Sequence, residues 1–276
     1  TTGGWSPTRA GPKSCIGNAE KNAVFGVLDS EFLGMGTEVQ EFEASLTEFF
    51  ERPTACVVNG TAALHLVLQA CGIGRADEVL VPTLTFVASF QAIAATGATP
   101  VPCDIDPVTL TLDWEDARQR ITPMTRAVMP VHYGGGVGDL DGIYAMADSA
   151  GLRVIEDAAH AFGTTVNGRP VGSFRDVACF SFDGIKNITS GEGGCVVSDS
   201  DEVIDQVCRL RTLGLEKIGE ADPPRGILAR FDVEEVGWRS HMSNLMAASV
   251  DVFPASGQSF QLTRRVQDLQ TQQGFR

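Results

Sequence analysis

Lysine is scarce in this chain: 276 residues hold four, Lys13, Lys21, Lys186 and Lys217. There is no lysine/arginine-rich block, and the formal net charge is −14. That balance argues against DNA or RNA as a partner. It also means that an anionic substrate must be met by local positive or amide-lined pockets against an unfavourable field. No apolar run is long enough to cross a bilayer, so no membrane association is expected. The N-terminal stretch TTGGWSPTRAGPKS lacks the apolar core of a secretory signal, and the cytoplasm is the expected compartment. No C-x-x-C joins any of Cys15, Cys56, Cys71, Cys103, Cys179, Cys195 and Cys208. Neither a zinc site nor a redox pair is signalled, so no metal is expected, and the seven read as reduced structural thiols. A complete G-x-G-x-x-G after a first strand is missing too. Gly72-Ile73-Gly74 follows a helix and lacks the third glycine, and Asp139 stands where the third glycine after Gly134 and Gly136 would fall. A nicotinamide-dependent dehydrogenase is thereby disfavoured. Internal repeats and low-complexity segments are absent as well.

What is present is an α/β alternation. Hydrophobic content is 43%, enough for a large core. Short apolar runs predict strands at Ala55–Val58, Glu78–Val81, Thr99–Cys103, Ala127–Val131, Arg153–Glu156 and Val177–Phe182. Helical patterns lie between them, at Ala62–Ala70, Phe86–Thr96, Trp114–Arg120 and Leu140–Ala150, after two earlier ones at Asn18–Leu28 and Glu38–Glu51. This order predicts an α/β fold: a mainly parallel, mixed sheet sandwiched by helices. Ligands in such sheets sit beyond the carboxyl ends of the strands, so the informative residues are those just after each strand.

Three such places carry chemistry. In VACFSFDGIKNITSGEGGCVV (177–197), Lys186 sits in a polar, glycine-rich loop between two apolar runs. Apolar walls disfavour the ammonium and lower a lysine pKa, and the neutral amine is the form that attacks a carbonyl to make a Schiff base. The alternative is a loop lysine that solvates a turn. Asp157 ends the strand in IEDAAHAFG, where a carboxylate either faces the pocket or caps a helix over Ala158–Phe162. Gly60-Thr61-Ala62 follows a strand and opens a helix. Backbone N–H groups there form an anion site, with a threonine hydroxyl as an added donor, or else an ordinary turn and N-cap.

The Lys186 stretch resembles the lysine segment of the DegT/DnrJ/EryC1/StrS sugar aminotransferases. Their pattern is Ser-Phe-x-x-x-Lys-x-x-x-x-Gly-(Glu/Asp)-Gly-Gly, matched by Ser181, Phe182, Lys186, Gly191, Glu192, Gly193 and Gly194. A second stretch, VGWRSHMSNLMAA (236–248), resembles the family's Gly-Tyr-Asn-x-Arg-Met motif. Gly237, Met242, Ser243, Leu245, Ala247 and Ala248 match, while Trp238, Arg239 and His241 depart. The resemblance runs from about Phe25 to about Ala248. It implies the type I fold of transferases dependent on pyridoxal phosphate (PLP). Lys186 then holds the cofactor and moves the proton, and Asp157 pairs with the ring nitrogen. Gly60, Thr61, Ala62 and Ser181 hold the phosphate, Phe86 stacks on the ring, and His160 lies near the phenolic oxygen. Arg239, standing for an asparagine, reaches the phosphate of the partner subunit's cofactor.

By resemblance the substrates are L-glutamate and a nucleotide-linked keto-deoxysugar, carried by dTDP or UDP, used in polysaccharide or glycoside biosynthesis. The resemblance also implies a homodimer with shared sites. A family branch that dehydrates sugars has histidine for the lysine, and Lys186 argues against it. A non-catalytic PLP-binding relative or regulator is the second reading. The expected organisation is an arm over 1–20, a large PLP-binding α/β domain over 21–215, and a connecting segment with a partial C-terminal domain over 216–276. Within that last part, Gly219–Arg225 reads as a surface loop, and one polar helix is expected after Ser249.

Overall fold

The computed structural model describes residues 16–215 and 232–250. Residues 1–15 of the arm expected over 1–20, the loop Gly219–Arg225 and the polar helix after Ser249 lie outside the described residues, and α1 begins within the rest of that arm. Two helices lead, α1 (Asn18–Asp29) and α2 (Thr37–Phe50). The alternating part follows as β1 (Thr54–Val57), α3 (Gly60–Ala70), β2 (Glu78–Pro82), α4 (Val87–Ala95), β3 (Thr99–Cys103), α5 (Trp114–Gln119), β4 (Thr125–Val128) and α6 (Leu140–Ala150). Then come β5 (Arg153–Asp157), β6 (Thr165–Val166), β7 (Arg169–Pro170), β8 (Val177–Ser181), β9 (Gly194–Ser198), α7 (Asp201–Leu210) and α8 (Asn244–Val250).

The main sheet has seven strands in the order β1-β9-β8-β5-β4-β2-β3. β2, β3, β4, β5 and β8 run parallel, and β9 is antiparallel to both β1 and β8. The expected mixed, mainly parallel α/β sheet is therefore present. Its parallel strands all deliver their carboxyl ends to one edge.

Successive side chains of a strand point to opposite faces, and the cores follow that period. Ala55, Val57, Ile155, Val177, Cys179 and Val196 pack on the side of α3, α4 and α7, against Leu64, Val67, Ile93 and Val207. Their alternates Cys56, Ala178, Phe180, Cys195 and Val197 pack on the other side, with Phe42, Leu46 and Phe50 of α2. Further along that second side, Leu80, Val128 and Val154 meet Ile143, Tyr144 and Ala147 of α6. An aromatic cluster locks the α2 side: Phe180 lies 5.0 Å from Phe50 and 5.5 Å from Phe162, centroid to centroid. Cys56, Cys179 and Cys195 are fully buried in these layers, and burial pushes each thiol up, as suits structural cysteines.

The same period decides where the chemistry goes. Asp157 is two residues after Ile155, and Ser181 two after Cys179. Both continue the α3/α4 face as the last residues of their strands. Glu156 falls on the opposite face, buried against α6. There it accepts from the Tyr144 hydroxyl and pairs with His132 Nε2 at 2.6 Å.

The structure corrects several boundaries. α3 begins at Gly60 rather than Ala62, because Asn59 is the N-cap and its Oδ1 accepts from Ala62 N at 2.8 Å. Thr61 is thus inside the first turn and is not the cap. No helix follows Asp157: residues 158–164 form turns. A β6–β7 hairpin turns through Asn167 (φ 53°) and Gly168 (φ 80°), the primed geometry that Asn-Gly favours. α7 is capped by Ser200, whose hydroxyl accepts from Val203 N.

Gly194 opens β9 where it crosses the entry to α3. A Cβ there would stand 2.7 Å from Asn59 C and O and 2.8 Å from Gly60 N, all backbone atoms. Backbone has little room to yield, so overpacking of this kind costs about 1–3 kcal/mol. Gly194→Ala is therefore expected to lower the unfolding free energy by that amount, read as a lower urea midpoint at unchanged m, and an unchanged midpoint would show that the crossing is looser than described.

Candidate active site

One cleft of about 510 Å³ opens at the carboxyl edge of the sheet. Its walls come from the start of α3, the start of α4, the end of β5 and the loop between β8 and β9. Gly60, Thr61, Phe86, Asp157, His160, Ser181 and Lys186 all line it. Ala62 does not, although its N–H is fixed one turn away by Asn59. Arg239 is exposed and also absent from this lining. Of the residues expected to hold a cofactor, then, the fold gathers seven of nine in one place.

At one end the cleft meets the N-terminus of α3. The first N–H groups of a helix have no intrahelical acceptor, and the helix dipole adds positive character there. Gly60 is pressed against Ser181: a Cβ on it would lie 2.8 Å from Ser181 Cβ and 3.2 Å from Ser181 Oγ. Glycine is what lets the helix start close on that hydroxyl. The result is a small cradle of backbone N–H groups and two hydroxyls, those of Thr61 and Ser181, suited to an anion such as a phosphate.

Phe86 forms one wall. It is 71% exposed, so it is not a core phenylalanine. As the N-cap of α4 it has φ −72° and ψ 147°, an extended conformation that leaves its ring outside the helix and over the cleft. A flat ligand finds an aromatic face there.

Asp157 forms the floor at 5% exposure. Its Oδ2 accepts from Ser89 Oγ at 2.6 Å and its Oδ1 from Ala159 N at 3.2 Å. Lys186 is half-buried on the loop across the cleft. Burial lowers its pKa, and the charges of Asp183 and Asp157 pull the other way. The apolar-wall expectation from the sequence therefore holds in direction. The loop carrying Lys186 is pinned rather than loose. Lys186 N donates to Asp183 O at 2.9 Å, Asn187 Nδ2 to Phe162 O at 2.7 Å, and Ser190 N to Phe182 O at 2.9 Å.

His160 completes the floor. Burial and the nearby Lys186 charge lower its pKa, opposed by Asp157, so the imidazole is neutral near pH 7. Gly134 N donates to its Nδ1 at 3.3 Å. Nδ1 is then the acceptor, which leaves the proton on Nε2 as a donor. Tyr133, 5.9 Å away centroid to centroid, meets its ring edge-on.

Sequence reading missed four contributors. Thr85, Asp183 and Glu192 line the cleft, and Ser89 holds Asp157 from behind. Ser89 had a signal: in the helix VASFQAIAA it is a polar residue on the buried side, while the other polar residue, Gln91, is exposed. The glycine-punctuated loop over 32–37 does not line the cleft of its own chain. Asn244 of α8 fastens it instead, by bonds to Gly34 O and Phe32 O. Among the described residues, no group of three or more His, Cys, Asp or Glu could hold a metal ion, and no helix is long and apolar enough to cross a membrane.

Known proteins share this fold. The chain is 42% identical over 234 residues to the spore coat polysaccharide biosynthesis protein SpsC of Bacillus subtilis, covering 84% of this chain and 60% of that protein. Spr1654 of Streptococcus pneumoniae, solved in a PLP form, superposes with a TM-score of 0.78 at 29% identity, over 87% of this chain and 64% of its own. DesI, solved in the presence of its TDP-sugar product, superposes with a TM-score of 0.76 at 34% identity, over 90% of this chain and 60% of its own. The chain thus spans less than two thirds of the length of each of these relatives. The model of one family matches residues 14–253. With that match and a relative 42% identical across most of its length, the chain belongs to the DegT/DnrJ/EryC1/StrS aminotransferase family.

Proposed function

We propose that this protein is a PLP-dependent aminotransferase that moves an amino group from L-glutamate to the keto carbon of a nucleotide-linked keto-deoxysugar. One observation carries the reading: an amine, a buried acid, an anion cradle and an exposed aromatic face line a single cleft. These residues fit pyridoxal phosphate part by part. The Gly60–Thr61–Ser181 cradle, closed by a glycine that no larger residue could replace, suits its phosphate. Phe86 suits the face of its ring, Asp157 its ring nitrogen, and His160 Nε2–H its phenolic oxygen. When bound, the cofactor supplies an electron sink.

The chain's own groups do the rest. Lys186 Nζ would anchor the cofactor and, once released, would carry the proton from the α-carbon of the amino donor, as general base, to C4′ of the cofactor, as general acid. Its lowered pKa suits both halves of that task. Asp157 favours a protonated ring nitrogen by opposite charge. Substrate identity draws support from the relatives: one is named for polysaccharide biosynthesis and another was solved with a TDP-sugar product. A dTDP- or UDP-linked sugar is the matching class. The intact lysine and acid speak against a non-catalytic regulator.

Arg239 sits off the cleft of its own chain and is exposed. It can serve a cofactor only in a second copy, so the proposal includes a homodimer with shared sites.

Three tests follow from these assignments. Capture of PLP by apo-protein should speed up with pH and level off below 10.5, the ordinary lysine value, because the neutral amine reacts. Lys186→Ala should show neither capture nor the visible band, and a band of wild-type intensity would remove Lys186 from the anchor role. Asp157→Ala should keep its circular dichroism yet lose at least about 10²-fold in the half-reaction with L-glutamate, an electrostatic loss of the usual size; full activity would end the electron-sink assignment. Finally, Lys186→Ala and Arg239→Ala subunits, each inactive alone, should recover activity when unfolded together and refolded. No recovery in verified hybrids would overturn the shared site.

A further inference from the structure

Asp157 does not stand alone beneath the cleft. Ser89, on the first turn of α4 and fully buried, donates its hydroxyl proton to Asp157 Oδ2 at 2.6 Å. Ser89 Oγ and Thr85 Oγ1 are 2.6 Å apart. A hydroxyl has one proton to give. An ionised carboxylate can only accept, so the Ser89 proton is committed to Asp157. The proton between the two hydroxyls must then come from Thr85. Thr85 Oγ1 also lies 3.2 Å from Phe86 O, a longer and poorer alternative for the same proton. The order is thereby fixed: Thr85 O–H to Ser89 O–H to the Asp157 carboxylate. Thr85 itself lines the cleft.

We propose that Thr85 and Ser89 form a directed hydroxyl relay that holds the Asp157 carboxylate aimed at the cofactor's ring nitrogen. Both are positioning residues and act through Asp157. The proposal rests on the cofactor reading above. Hydrogen bonds donated to a carboxylate favour its charged form, and a chain of two hydroxyls polarised one way strengthens each link. Geometry also favours this source. Val87 opens α4, and the backbone of Ser89 is tied to Phe86 O at 3.2 Å. One turn of chain therefore sets the aromatic wall, through Phe86, and the acid's partner, through Ser89. The ring's face and its nitrogen would be served by residues three apart, fixed in one rigid piece. The remaining oxygen, Oδ1, takes only the 3.2 Å bond from Ala159 N, which leaves lone-pair capacity toward the cleft.

The test compares two cofactors on the full-length apo-protein by equilibrium dialysis: pyridoxal phosphate and its 1-deaza analogue, which has carbon in place of the ring nitrogen. Wild-type protein should prefer pyridoxal phosphate, since only that cofactor offers Asp157 an N–H. Ser89→Ala should shrink this preference by about tenfold or more, the size expected for losing a hydrogen bond to a charged group. Ser89→Thr, which keeps the hydroxyl, should restore it. Thr85→Val should shrink it by a smaller factor while leaving Ser89 in place, and carries the comparison should Ser89→Ala fail to fold. Equal losses for both cofactors would overturn the relay, because a purely structural role weakens the whole cleft without regard to the nitrogen. A wild-type protein that binds pyridoxal phosphate without preference over the analogue would overturn the Asp157 assignment and the relay with it. Failure of the wild type to bind either cofactor would overturn the cofactor reading itself.

Discussion

A carboxylate removed from water must be given partners, and Asp157 is where this fold meets that demand. Burying an unpaired charge is among the most costly things a protein can do. At 5% exposure, Asp157 keeps two fixed donors, a serine hydroxyl from α4 and the N–H of Ala159. Electrostatically it also opposes the desolvation of Lys186 and of His160. Three pieces of chain thus converge on one acid: the start of α4, the turn that carries Ala159 and His160, and the loop that carries Lys186. Each is delivered by a parallel strand or by the helix that follows one, which is why the sheet's handed, one-edged layout matters to the chemistry.

The cleft's two ends differ in kind. At the α3 end, recognition comes from backbone: helix N–H groups, reached through a glycine pressed on Ser181. Backbone donors carry no net charge, so they can receive an anion in a protein of net charge −14 without a lysine or arginine at that point. At the α4 end, recognition comes from side chains, an exposed phenylalanine and a buried hydroxyl. This division answers the difficulty that the acidic composition raised. The scarcity of lysine falls into place as well, since the cleft has its lone lysine where a nucleophile and proton carrier are wanted.

Much of this was legible in the sequence, because its main signals are local. Apolar runs of four to six residues marked the parallel strands, and residues at or just after the ends of most of them turned out to line the cleft. Lys186 was legible from the glycine-rich loop around it, and Asp157 from its place at a strand end. Contacts between distant segments left weaker traces. Ser89 reads as one of two polar residues in a mostly apolar helix, and only packing against β5 reveals what it touches. Gly194 was visible as part of a motif, but not as the residue that lets β9 pass over Asn59. The β6–β7 hairpin carried a clear Asn-Gly signal that was passed over, since its strands are two residues each and too short to show alternation. The reversal of β9 left no local mark at all: strand direction is settled by pairing on both sides, with β1 and β8.

Neighbouring acids in β5 face opposite ways, Asp157 into the cleft and Glu156 into the buried pocket of Tyr144 and His132. The reading frame of this strand is therefore under a constraint that its flanks escape. Slippage by a single position would exchange the two acids, sending a longer carboxylate into the cleft and stripping the tyrosine of its acceptor. The excursion through the Asn167–Gly168 turn, by contrast, lies off the cleft. Length changes during divergence should thus accumulate in that excursion and be purged from the five residues of β5, leaving a ruler-like segment beside a variable one.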